Sequence, residues 1–551
     1  MSRHVMPAAG LSIDQQIDYL IRVATSLSIE KNTHKLLEEI LLAAQALTGA
    51  DGGTIYSVTV DQELAFETLI NHSLDLHLGG SSQKTVNFAP IPLKVDGHAN
   101  QQALVAQAAN LNKVINIQDV YQNEQGIDLT AAKKMDQQTG YRTVSVLAVP
   151  MSDPHGKLFG VIQLINARVQ TPDGNLQVVP FSKSVEKLVC ALASQASVVL
   201  NNRKLVADMQ SLFQTFSKLI AESIDQKSPY TGGHCRRVPE ITMLLADAVN
   251  QTTAGPLADF HLSDDDMYEL SIAAWLHDCG KVGTPEYIMD KATKLETVFD
   301  RIELIKTRFS LFKKDLELQT IKQSLNLPIS DRLQLLAECE AEKNRLDDDF
   351  KFLQAINFGC ELMSEEAISR VANIAARCYL SDDGQRQPLL TKDEVKNLTI
   401  VRGTLNDDER KIINQHIDIT IKILNSLPFP DHLKNVPEYA GGHHEKMDGT
   451  GYPLGLTREQ MSVPARMMAI ADIFEALTSS DRPYKKTKTL SECLRILGFM
   501  KLDKHIDPDL FDIFIEQKVY LKFAQVYLSP EQIDPIDESK IPGYKGNPPL
   551  C

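Results

Sequence analysis

Residues 443–453 read His-His-Glu-Lys-Met-Asp-Gly-Thr-Gly-Tyr-Pro, two adjacent histidines followed by acids and a Gly-Tyr-Pro turn. Upstream stand His277 and Asp278, with Lys281 three residues on, and downstream stands Asp472. Neutral imidazoles and carboxylates are ligands for first-row divalent metals. An aspartate has two oxygens and can bridge two ions, and metal pairs suit phosphodiester cleavage. Taken alone, a His-Asp pair is more often a satisfied core pair. The ordered set with its Gly-rich turn points to a metal site.

The elements that must carry these residues are readable as helices. His277 and Asp278 close the apolar run Leu270-Ser-Ile-Ala-Ala-Trp-Leu, so both side chains can enter one cavity at a helix end. Asp278 is the candidate bridging carboxylate. His416 lies in the helical stretch Ile412-Ile-Asn-Gln-His-Ile-Asp-Ile, and His443 and His444 follow Gly441-Gly442, which lets backbones approach. Asp472 sits in Met467-Met-Ala-Ile-Ala-Asp-Ile-Phe-Glu-Ala-Leu477. A carboxylate on so apolar a helix needs a cation or hydrogen-bond donors, so it is either a metal ligand or a buried ion pair. Lys281 falls one turn beyond Asp278 and can face the same pocket, to bind phosphate or protonate a leaving oxygen. Arg482-Pro-Tyr-Lys-Lys486 is a compact basic turn. Arginine offers bidentate phosphate contacts there and Lys485 a point charge.

At 551 residues the chain is too long for one ordinary domain, and 43% apolar with 23% charged residues is globular composition. No apolar run approaches the ~18 residues that cross a bilayer, and the N-terminus does not read as a signal peptide. The eight cysteines stand singly, with no Cys-x-x-Cys. That fits a reducing, cytoplasmic setting without disulfides. The net charge of −15 disfavours long nucleic acid, whose binding is driven by phosphate neutralisation. It does not exclude a small anionic nucleotide, since a site makes its own local field.

Two amphipathic helical stretches, within residues 13–48, precede a strand from Gly53 and its hairpin partner Glu63–Ile70. Val144–Pro150 and Leu158–Asn166 read as a second strand pair around an Asp153-Pro-His-Gly turn. Residues 186–224 carry Leu188, Leu192, Val199, Leu205, Met209, Leu212, Phe216, Ile220 and Ile224 at helical spacing, without Gly or Pro. A stripe this long predicts a two-chain coiled coil and a homodimer. Residues 290–400 are charged and Leu-rich, and predict amphipathic helices in an antiparallel hairpin.

His277-Asp278-Cys279-Gly280-Lys281 and the Gly451-Tyr452-Pro453 loop resemble the HD-GYP phosphodiesterases, a branch of the HD metallohydrolases. The resemblance runs over 222–520, interrupted by the 290–400 insertion and followed by a tail, 521–551. It implies an all-α HD domain. It implies that His234, His277, Asp278 and Asp472 hold one metal, and Asp278, His416, His443 and His444 another. Fe or Mn, with Zn or Ni as alternatives, fits such ligands. Some relatives carry a glutamate where Tyr230 stands, and it helps hold a third metal, so two metals are expected here. Ser228 stands where many relatives have aspartate. Arg482 and Lys485 resemble the family's phosphate-binding pair. The Gly-Tyr-Pro segment implies contact with diguanylate cyclases.

Residues 13–200 resemble a GAF domain, an α+β antiparallel sheet with helices, through Val114-Ile-Asn-Ile-Gln-Asp-Val-Tyr121, Thr139-Gly-Tyr-Arg-Thr143 and Gly160-Val-Ile-Gln-Leu-Ile-Asn166. The family's cyclic-nucleotide pattern matches at Asn166, Phe181 and Glu186, while Ala167 and Val185 depart from it. The domain is therefore either a small-molecule sensor or a ligand-free dimerisation module. The whole reads as a sensor-regulated enzyme hydrolysing cyclic di-GMP to pGpG or GMP. A receptor without efficient turnover, or a hydrolase of cyclic GMP-AMP, stands as the alternative.

Overall fold

The computed structural model describes residues 13–546, apart from 31, 83, 123–127, 131–132, 134–135, 138–139, 228–232, 360–361, 381–384 and 480–486. It divides into two compact units, Met1–Ser211 and Leu212–Cys551. In the first, α1 (Ile13–Ile29) and α2 (Thr33–Thr48) precede an antiparallel sheet. Asn32 caps α2 by accepting the Lys35 amide, and Gly49 ends it at φ 67°, a conformation glycine takes without strain.

The strands are β1 (Ala50–Val58), β2 (Glu63–Asn71), β3 (Leu76–Gly79), β4 (Ile91–Pro92), β5 (Ile115–Ile117), β6 (Val146–Ser152), β7 (Leu158–Gln170) and β8 (Leu176–Val179). They run in the order β3-β2-β1-β7-β6-β5, with β8 on β7 and β4 on β2. Both expected hairpins form. Strand alternation sends Ile55, Leu147, Val149, Ile162 and Leu164 to one core with α2. Their neighbours Tyr56, Val146, Ala148 and Val161 go to a second core under α3 (Leu104–Leu111). The sheet is buried on both faces.

A single helix, α4 (Lys183–Lys227), follows for 45 residues, about 67 Å at helical rise. Its stripe is not the uniform seam expected over 186–224. Val189, Leu192, Ala193 and Ala196 are buried in the sheet core. Ala221 and Ile224 are buried in the core of the second unit. Only the middle stays open: Leu205, Met209, Leu212, Phe216 and Leu219 are between 53% and 70% exposed.

The second unit is mostly helical. α5 (His234–Asn250) packs on α6 (Asp264–Leu276) and on a later apolar helix. The insertion forms α7 (Ile302–Ser324) and α8 (Ile329–Asn357), whose antiparallel pairing shows in the Lys313–Asp347 ion pair and the Phe309–Phe350 ring contact. It has its own core, with Leu295, Ile305, Phe309, Leu346, Leu353 and Val371. It also holds a small strand pair, Cys378–Leu380 with Arg386–Pro388, which the charge pattern did not announce. α9 (His416–Asn425), α10 (Val436–Gly441) and α11 (Val463–Thr478) return the chain to the main core. The segment expected as a tail from 521 begins inside α12 (Val519–Tyr527), and Phe523, Ala524, Ile541 and Tyr544 are buried in that core. Its apolar residues make it part of the helical fold. Among the described residues, no helix is long and apolar enough to cross a membrane.

Candidate metal centre

α6 starts at a capping box, Ser263 with Asp266, and ends at His277. The chain then leaves the helix at Asp278 and enters a 3-10 turn, Cys279–Gly283. This break presents both side chains to one buried point. Gly280 fixes where the turn lies. Its amide donates to Thr420 Oγ1 at 2.9 Å, and a Cβ there would sit 1.9 Å from the His416 carbonyl oxygen. Only glycine lets the turn rest on α9, and that contact brings His416 Nε2 to 3.3 Å from Asp278 Oδ1.

Three histidines share one device. His277 Nδ1 donates to the Ala274 carbonyl at 2.8 Å, His416 Nδ1 to Ile413 at 2.5 Å, and His443 Nδ1 to Ala440 at 2.6 Å. A carbonyl only accepts, so Nδ1 carries the proton and Nε2 keeps a lone pair. Each Nε2 is buried without a hydrogen-bond partner, and so is Asp278 Oδ1. His277 Nε2 lies 3.2 Å from Asp278 Oδ2. Lone pairs face carboxylate oxygens, an arrangement that a divalent cation resolves.

His234 is held differently. It opens α5, with Nε2 3.1 Å from Asp278 Oδ2 and 3.3 Å from Asp472 Oδ1, and its Nδ1 meets Glu475 Oε2. Burial disfavours a charged ring here, but the Glu475, Asp278 and Asp472 carboxylates outweigh it and lift the His234 pKa well above 6.5. Burial likewise opposes ionisation of Asp278, and Lys281 and His277 overcome it, holding the pKa well below 3.8. Asp472 is lowered too, with burial offset by His234 and His444. Burial, with the neighbouring His444, depresses His443 well below its usual value, and burial depresses His444 to about 4.

Within each of three sets the potential ligand atoms lie within 4.8 Å of one another: His416 with His443 and His444, His234 with His277 and Asp472, and His277 with Asp278 and His443. The residues expected at the metals thus meet at one place, from α5, α9 and α11 and from the turns that follow α6 and α10. His444 stacks on Tyr452 at 4.9 Å, and the Tyr452–Pro453 peptide is cis. Lys281 Nζ is 2.5 Å from Asp278 Oδ2. The donor set and its orphaned lone pairs fit a pair of divalent ions. Arg482, Lys485, Ser228 and Tyr230 lie outside the described residues.

Two residues escaped the sequence reading. Glu475, 1% exposed, orients His234 and accepts from Arg237 Nε at 2.6 Å. Its signal was available, since it stands one turn after Asp472 on the same apolar helix and is subject to the same argument. Glu445, also 1% exposed, accepts the amides of Leu454 at 2.7 Å, Gly455 at 3.1 Å and Leu456 at 3.0 Å, and so shapes the loop. Gly451 allows the close return, because a Cβ there would lie 2.4 Å from the Glu445 Cα.

Residues 32–200 match the GAF domain family and residues 391–510 the HD domain family. The HD match holds His416, His443, His444 and Asp472, while the earlier ligand candidates lie before the insertion. A Vibrio cholerae protein described as 3'3'-cGAMP-specific phosphodiesterase 3 is 24% identical over 520 residues, 91% of this chain and 75% of its own length. Pseudomonas aeruginosa cyclic di-GMP phosphodiesterase PA4108 is 38% identical over 114 residues, 21% of this chain and 26% of its own. The Thermotoga maritima cyclic di-GMP phosphodiesterase is 35% identical over 125 residues, 23% of this chain and 33% of its own. The chain thus carries an N-terminal GAF domain and a C-terminal HD domain, and these relatives are described as cyclic-dinucleotide phosphodiesterases.

Proposed function

We propose that this chain, a GAF domain joined to an HD domain, is a metal-dependent phosphodiesterase that opens cyclic dinucleotides, with cyclic di-GMP as substrate and pGpG or GMP as product. The observation that carries it is the convergence of six ligands, His234, His277, Asp472, His416, His443 and His444, around Asp278. His234, His277, Asp278 and Asp472 would hold one ion, and Asp278, His416, His443 and His444 the other. Bound there, divalent ions supply Lewis-acid polarisation of the phosphoryl group and an activated water.

The protein's own residues do the rest. Asp278 sits between the two ligand sets and ties them into one centre. The backbone carbonyls of residues 274, 413 and 440 fix the ring tautomers, so the imidazoles need no rearrangement. Burial opposes a charged Lys281, but Asp278 outweighs it and raises the pKa. A lysine kept protonated beside the centre suits the charge of a phosphate. Arg482 and Lys485 would take a second phosphate. The exposed middle of α4 would pair with a second copy, and the GAF domain would regulate turnover.

Cyclic GMP-AMP is the second reading, favoured by the relative that spans 91% of this chain. The test is turnover. Protein purified under low oxygen, loaded with Mn²⁺ or Fe²⁺, is offered cyclic di-GMP, 3'3'-cyclic GMP-AMP and cyclic di-AMP, with Asp278→Ala alongside. Product from the native chain alone supports the enzyme. Bound metal without any product makes the chain a receptor.

A further inference from the structure

The last turn of α4 grips both segments that bring ligands to the metal centre. Asp225 is 8% exposed, and its carboxylate accepts the Gly233 amide at 3.0 Å and the Cys235 amide at 3.3 Å. Those amides flank His234 at the start of α5, where first-turn N–H groups have no helical acceptor. Gly233 sits at φ 98°, a backbone conformation that side chains rarely adopt and glycine takes freely.

Two residues further along α4, Lys227 Nζ donates to the Val282 carbonyl at 2.8 Å and to the Thr284 carbonyl at 2.7 Å. Those carbonyls close the 3-10 turn that opens at Asp278 and carries Lys281. The turn is short, and its start and end move together. One helical turn therefore holds the backbone beside His234 and the backbone beyond Asp278. Neither segment could be shifted without the other while α4 stays whole.

We infer that Asp225 and Lys227, in the last turn of α4, are positioning residues for the metal centre. The inference rests on the metal-dependent reading above. A displacement of this last turn of α4 would carry the backbones beside His234 and beyond Asp278 with it. Partners that orient metal ligands are typically worth 10–100-fold in affinity. A small movement at the grips is enough to change occupancy of the centre.

The test uses the full chain, stripped of metal with a chelator and titrated with Mn²⁺ against a competing fluorescent chelator. The variants are Asp225→Ala, Lys227→Met and the conservative Lys227→Arg, with Glu222→Gln on the exposed side of α4 as control. Mn²⁺ affinity is expected to fall about tenfold or more in the first two and to stay near native in the others. The melting temperature of the metal-free Lys227→Met protein is expected to stay near native, which separates positioning from general stability. Unchanged Mn²⁺ affinity in Lys227→Met overturns the inference. If Asp225→Ala does not fold, Lys227→Met decides alone. A native chain that binds Mn²⁺ and turns over no cyclic dinucleotide sinks the phosphodiesterase reading and leaves this comparison of affinities standing.

Discussion

The carboxylate of Glu475, on α11, accepts a hydrogen bond from Nδ1 of His234, on α5, and its other oxygen accepts from Arg237. His234 is the one described ring of the centre that is oriented by a side chain from another helix. Glu475→Ala should therefore lower affinity for the metal held by His234 and Asp472 by about 10–100-fold. Metal titration should then show one weakened site beside one of native strength. Two equally weakened sites would mean that the helices had come apart.

Gly280 governs the distance between the Asp278 turn and α9. In Gly280→Ala the new methyl meets the His416 carbonyl at 1.9 Å and the Thr420 amide at 2.6 Å, both backbone. Overpacking of this kind costs about 3 kcal/mol. Urea unfolding should register that loss, and metal analysis should show a depleted His416 site. Native stability in this variant would contradict the close approach.

Lys281 pairs with Asp278 but has no lone pair to give a cation while protonated. Lys281→Met should keep its metals and lose about 100-fold in kcat/KM, the scale of one lost charge-stabilising donor. Loss of metal along with activity would assign the lysine to holding Asp278.

The metal-free protein should lose stability in mild acid. Burial depresses His444 from 6.5 to about 4. Below about pH 6.5 the unfolded chain takes a proton that the folded ring refuses until about pH 4, so this stability is full above that window and falls across it. The loss from His444 is about 3 kcal/mol. His443, depressed in the same direction, adds to it. His234 is raised, and its contribution is lost only as pH climbs, so it adds no slope on the acid side. The urea midpoint in EDTA should be lower at pH 5 than at pH 7, and the reverse order would refute the assignment.

Met209 and Phe216 are 69% and 58% exposed at seven-residue spacing on α4. Replacing both by Glu should convert a dimer to a monomer in sedimentation, without changing the circular dichroism of the metal-free chain. A monomeric native chain would remove the basis for a paired helix.

The candidate ligands were legible as a set: histidines and aspartates at helix ends, an aspartate within an apolar helix and a Gly-rich turn point together to a metal where one His-Asp pair does not. The sheet was legible from alternation, as in β6 and β7, where neighbours split between two cores. What stayed hidden was contact. Nothing in the order of residues says that Gly280 would meet His416, since that depends on helices separated by the whole insertion. The stripe on α4 has one period, yet three environments share it, because periodicity reports a face and not what covers it. Phe523 and Tyr544 were passed over because a short helix after a presumed boundary looks like a tail.

The carbonyls that orient His277, His416 and His443 have a consequence for inheritance. They belong to residues 274, 413 and 440, and every amino acid at those positions would supply the same oxygen. No single substitution deletes such a partner, so three of the rings are insulated from drift in their surroundings. His234 depends on Glu475, which one codon change can remove. Descendants that lose catalysis while keeping the fold should begin at that pair.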